Sequence, residues 1–339
     1  MGLEGAFALD CSDLKGRKLV NLDSEEEGVF TVSCAGGVRV DCFLPGVKAP
    51  LNGEAGYEIS LEGLLGGHSG AEIHKGRASA NQVMGRVLYS AMERIPGLRL
   101  ADIRGGKFDN VICSRNHARA AVPADRAEEF EDFIREFDKA LKNEYAGCDG
   151  GIALSCEKTA LDKALSPEST ANMLRTLLAV PQGVQAMNVD FPGLVQTSLN
   201  LGVMELREDG LYFGVSVRSC IATQKDMIVQ RLKAILELGG GSFTLRGNYP
   251  GWQYDRNSAL REEVLAAYQA VCGKQGTIEA THGGLECGLF MEKLPGLDAV
   301  SFGPELHDVH SVKERLNVAS TQRVYELTRE LLKRESAAR

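Results

Sequence analysis

The hydrophobic pattern changes character at Tyr249-Pro250-Gly251, and any fold for this chain must accommodate that change. Downstream, short apolar runs alternate with helical stripes: helix over 258–271, strand over 278–281, helix over 285–291, strand over 299–303, helix over 320–332. Such alternation predicts a parallel or mixed α/β sheet, because a crossover helix lets successive strands share a direction. Upstream the pattern differs. Strands over 195–204 and 211–218 follow one another directly and lead to a helix over 223–238, closed by Gly239-Gly240-Gly241. That order suits an α+β layer on an antiparallel sheet.

Strands are also expected at 17–22, 28–34, 38–43 and, with clear alternation, 55–61. A helix over 79–95 carries Val83, Val87, Leu88, Ala91 and Met92 on one stripe. A long acidic helix over 124–145 repeats Phe130, Phe133, Ile134 and Phe137 at helical spacing. After a strand over 152–156, Ser166-Pro167-Glu168 opens another helix, with Ser as N-cap and Pro at the first helical position. The simplest division gives residues 1–45 and 248–339 to one domain, with 46–247 inserted as a second. The 339 residues suffice for two.

Several function classes are disfavoured. A net charge of −8 with no basic patch argues against nucleic-acid binding. No apolar run approaches the ~18 residues of a membrane span, and residues 1–18 do not read as a secretory signal. Nine cysteines without CxxC spacing suit reduced thiols in cytoplasm. A metal would therefore rely on the six histidines and the carboxylates.

Four segments could carry chemistry. Asp23, in Asn21-Leu22-Asp23-Ser24-Glu25-Glu26-Glu27, follows an apolar strand, the place where open α/β sheets bind ligands; it is either a metal ligand or part of a solvated acidic turn. His307 and His310, in Glu305-Leu306-His307-Asp308-Val309-His310, also follow a strand; they could coordinate zinc or serve as ordinary loop histidines. His68, between Gly66-Gly67 and Gly70, could donate to a polarised carbonyl oxygen or simply lie in a surface turn. Arg218 ends an apolar strand, where a guanidinium needs a partner: a substrate carboxylate or an internal ion pair. Asn110, after Arg104-Gly105-Gly106, is a candidate alongside it. Trp252, Cys287 and the Phe stripe read as core, and Glu286 is a minor candidate.

The segments LNLDSEEEG, GGHSGAEIHKGRASAN, RGGKFDN, VRSC, NYPGWQ, GGLECGLF and VSFGPELHDVHS occur in this order. Together they resemble the aminoacyl-histidine dipeptidases, also called cytosolic non-specific dipeptidases, of the M20 metallopeptidase group. The resemblance runs essentially end to end. It implies an α/β, phosphorylase/hydrolase-like zinc-peptidase catalytic domain with an inserted α+β lid domain that mediates a homodimer. It implies two zinc ions, with cobalt or manganese as alternatives, and hydrolysis of dipeptides, carnosine-like Xaa-His among them, in the cytoplasm. By motif, Asp23 would ligate one metal and His310 the other; His68, Asn110, Arg218 and the backbone at Gly284 would bind the dipeptide. The family's His-x-Asp motif, its metal-bridging Asp and its Glu-Glu pair precede the segment matched by MGLEGAFALD. On this reading the catalytic domain is truncated, the general-base Glu falls before Met1, and the chain alone is expected to hold neither ion tightly. Two alternatives are a non-catalytic protein whose lid dimerises or binds peptides, and a related M20 deacylase or carboxypeptidase.

Overall fold

A computed structural model of the protein describes residues 3–309 and 311–337. Among these residues the strands form two principal sheets. The smaller has four strands, in the order Lys18–Asn21, Asp298–Ser301, Val29–Cys34, Thr277–Thr281. Lys18–Asn21 runs parallel to Asp298–Ser301, and Thr277–Thr281 parallel to Val29–Cys34; the middle contact is antiparallel, so the sheet is mixed. Helices Ala259–Cys272 and Val318–Ala337 cover it, burying Leu260, Val264, Val324 and Leu327 against Phe30, Val300 and Phe302. Each such side chain contributes about 1.5–3 kcal/mol on leaving water. Trp252 and Cys287 belong to this core, as the sequence reading expected.

The larger sheet has nine strands, and its pairings are antiparallel. Val195–Leu206 and Gly210–Ser219 lie at its centre, Ala153–Lys158 at one edge and Ser242–Tyr249 at the other. Strand side chains alternate between faces. Val38, Val40, Cys42 and Leu44, with Val215 and Val217, turn to a core completed by helices Ala80–Arg94, Ala127–Glu144, Pro167–Ala179 and Ala222–Leu238. The opposite face carries Arg39, Ser198, Ser216 and Arg218. Ser166 caps its helix as predicted, its side chain accepting the Ser169 N–H at 3.1 Å.

One strand lies elsewhere than its place in the chain suggested. Gly36–Pro45, grouped by pattern with the N-terminal strands, pairs on both sides within the larger sheet. Its apolar residues share the core under helix Ala222–Leu238. The chain therefore crosses between sheets near Ala35 and returns near Pro250. These crossings lie side by side: the Cys34 N–H donates to the Trp252 carbonyl at 3.0 Å, and the Trp252 N–H to Cys34 at 2.9 Å. A Cβ at Gly36 would stand 2.3 Å from the Gly251 nitrogen, so the close approach requires glycine. Beside the crossings, Arg256 grips Asp190 with two bonds of 2.8 Å, and Phe191 meets Tyr254 edge-on at 4.9 Å. Among the described residues no helix is long and apolar enough to cross a membrane.

Candidate active site

Where the polar face of the larger sheet meets the smaller one, a cavity of about 590 Å³ is lined in part by Arg39, Asn110, Ser216, Arg218, Tyr249 and Gly284. Three residues singled out in the sequence, Asn110, Arg218 and Gly284, thus share one space. They come from distant positions. Arg218 is placed by the central strand Gly210–Ser219. Asn110 sits in a loop pinned by Asn200, whose Nδ2 donates to the carbonyls of Asp109 at 2.8 Å and Val111 at 2.9 Å. Gly284 follows the small-sheet strand Thr277–Thr281.

The Arg218 guanidinium donates through Nη1 to the Tyr249 hydroxyl at 3.3 Å. Its Nε is buried with no hydrogen-bond partner. Tyr249 has little freedom: a Cβ at Gly37 would stand 2.7 Å from its Cζ, and one at Gly284 2.8 Å from its Cε2. No internal carboxylate pairs with Arg218 among the described residues, so the ion-pair explanation for this arginine fails. A half-buried arginine that lines a cavity without a carboxylate partner suits an anionic ligand.

His68 approaches Arg218 over Gly70, where a Cβ would stand 2.9 Å from His68 Cε1 and 3.3 Å from Arg218 Cζ. Its loop is tightly self-bonded. Nδ1 accepts the N–H groups of Gly70 at 3.2 Å and Ala71 at 3.1 Å, and the His68 N–H donates to Glu72 Oε2 at 3.0 Å. With Nδ1 occupied as an acceptor, the neutral ring carries its proton on Nε2. Desolvation, followed by the Arg218 charge, lowers the His68 pKa and favours that neutral form. Glu72 is held ionised, its pKa down to about 2, chiefly by the Lys75 ammonium and the His68 N–H.

Asp23 is exposed at the carboxyl end of Lys18–Asn21. That end lies beside the end of Asp298–Ser301, in the register Asn21↔Ser301. The acidic turn and the 303–309 loop consequently touch: the Phe302 N–H donates to Asn21 at 2.9 Å, and the Leu306 N–H to Glu25 at 2.8 Å. Glu27, one of the acidic run, is taken by Arg323, which lowers its pKa. His307 is exposed in the short strand Leu306–His307. His310 lies outside the described residues. Among those residues no three His, Cys, Asp or Glu side chains gather as a metal site. Asp23 and its neighbours do not by themselves fit a zinc ion, which normally needs about three protein ligands.

Sequence reasoning passed over His282. It is buried, its Nε2 lies 2.8 Å from the Ser198 hydroxyl, and Nδ1 has no partner. A histidine directly between a strand and Gly283-Gly284 was the available signal.

Residues 59–148 match the Peptidase dimerisation domain of the M20 group. Over 98% of its length the chain is 37% identical to the cytosol non-specific dipeptidase of Escherichia coli strain K12, covering 69% of that protein. It belongs to the cytosol non-specific dipeptidase family. The aminoacylhistidine dipeptidase of Vibrio alginolyticus has the same fold, with a TM-score of 0.92 at 33% identity. That match covers 98% of this chain and 68% of the other. The family assignment and the α/β fold expected from the ordered motifs therefore stand.

Proposed function

We propose that this chain binds dipeptides in the cavity between the two sheets and acts in their metal-dependent hydrolysis. The supporting observation is the convergence of Asn110, Arg218 and Gly284 on that cavity, with His68 against Arg218. Arg218 takes the terminal carboxylate through the part of its guanidinium that lines the cavity. His68 donates Nε2–H to the scissile carbonyl oxygen, and an N–H fixed in place is most valuable where charge develops on that oxygen. Asn110 and the Gly284 backbone fix the peptide on opposite sides. Xaa-His dipeptides are the substrates we favour, in keeping with the aminoacylhistidine dipeptidase of the same fold.

In this reading Asp23 and His310 each offer one ligand to a two-zinc site. The protein is proposed to work in the cytoplasm as a homodimer assembled through its dimerisation domain. A second reading, peptide binding without hydrolysis, is favoured by the lack of a complete ligand group among the described residues.

Calorimetry with alanyl-histidine and its C-terminal amide tests the binding site. The acid is expected to bind more tightly, and Arg218→Met to abolish the preference, about 1.5–3 kcal/mol for a charge-assisted contact. Equal affinities for acid and amide in the unaltered protein would remove Arg218 from the proposed role. Hydrolysis of alanyl-histidine by the chain with added Zn²⁺ would refute the binding-only reading.

A further inference from the structure

We infer that His282 is a positioning residue: through Ser198 it sets the spacing between the Arg218 guanidinium on one wall of the cavity and the Gly284 backbone on the other. The inference rests on the proposed binding of a dipeptide carboxylate by Arg218.

The geometry has three parts. Ser198 and Arg218 are direct cross-strand partners, in the register Ser198↔Arg218 of the two central strands of the larger sheet. The Ser198 hydroxyl lies 2.8 Å from Nε2 of His282, which belongs to the segment after Thr277–Thr281 in the smaller sheet. Gly284, two residues beyond His282, lines the same cavity as Arg218. One buried hydrogen bond therefore ties the two walls together beside the residues that would hold the ligand.

The chemistry suits a strut of this kind. A lysine or arginine here would repel Arg218 and compete for the anion. A neutral imidazole does neither, and burial together with the Arg218 charge keeps the ring neutral, its pKa pushed down to about 4. The Nε of Arg218 is buried close to this strut. A partly desolvated guanidinium binds a carboxylate more strongly than a solvated one.

The test compares His282→Ala and His282→Gln with the unaltered protein, using alanyl-histidine and its C-terminal amide as probes. His282→Ala is expected to lose about ten-fold in affinity for the acid while the amide changes little. His282→Gln, whose uncharged amide can reach Ser198, should recover most of that loss. In the unaltered protein labelled with ¹⁵N-histidine, the His282 ring resonances should shift with the acid and not with the amide. If His282→Ala keeps its full preference for acid, or loses both ligands equally, the inference falls while the dipeptide reading stands. If the unaltered protein shows no preference for acid, both fall. Thermal unfolding of each variant identifies any that fails to fold, and the NMR experiment needs no variant.

Discussion

A buried histidine that stays neutral makes the fold sensitive to acid, and His282 allows the size of that effect to be worked out. Its ordinary pKa near 6.5 falls to about 4 in the folded protein, chiefly through burial and secondly through the Arg218 charge; the Val195 backbone opposes this, and His74 adds a smaller push downward. A group whose folded pKa is depressed stabilises the fold above its unfolded pKa. That stability drains away as pH falls toward the folded value, because the unfolded chain takes up the proton first. The window is therefore between about pH 6.5 and about pH 4. The difference in proton uptake removes about 1.5 kcal/mol by about pH 5.5 and about 2.5 kcal/mol by about pH 4.5. Against a total stability of roughly 5–15 kcal/mol this is measurable. Urea unfolding at about pH 7.5 and about pH 5.5 provides the assay, with His282→Gln as the reference. Subtracting the variant removes the contribution of other titrating groups, and the remaining difference should be about 1.5 kcal/mol. A pH dependence identical in protein and variant would show that His282 titrates normally and that its burial has been misjudged.

Three further expectations follow from local geometry. Gly67 has φ +134°, and a Cβ there would stand 2.5 Å from both Arg77 Nη1 and Glu72 Oε2. Gly67→Ala should cost about 1–3 kcal/mol and weaken dipeptide binding by disturbing the His68 loop; an unchanged melting temperature would contradict this. The Asp190–Arg256 pair is well formed but solvent-facing, so Arg256→Ala should cost roughly 0.2–1 kcal/mol at low salt and nothing measurable near 1 M. Chemical denaturation at the two salt concentrations decides it. Ser166→Ala, which removes the N-cap of Pro167–Ala179, should cost about 1 kcal/mol in the same assay.

Much of the fold was legible because its helices and central strands carry strong periodicity. Ala80–Arg94 and Ala127–Glu144 lie within a few residues of the helices read from apolar spacing. Gly183–Met187 and Ser242–Tyr249 escaped notice because they bury little and show no clear alternation. The misplacement of Gly36–Pro45 has a different origin: alternation shows which residues of a strand face a core, but not which sheet it joins. Within the candidate site, Arg218 was visible as a charge at the end of an apolar strand. Its use of Tyr249 and lack of a carboxylate were not, since both depend on chain segments that meet only in the folded protein. His282 went unseen for the same reason. Its burial comes from the meeting of the two sheets, and nothing in Thr281-His282-Gly283-Gly284 states that a serine 84 residues earlier stands beside it.

The paired crossings at Cys34 and Trp252 have a consequence for modularity. A segment that leaves and re-enters its host at neighbouring points is a cassette: its two ends are already together, so joining them by a short linker costs little loop entropy. Residues 35–251 carry their own core, distinct from that of the four-stranded sheet. The same arrangement lets each sheet be exchanged or redesigned without re-routing the other. Its cost is that residues contributed by both, Arg218 and Gly284 among them, keep their alignment only while the seam between the two modules holds.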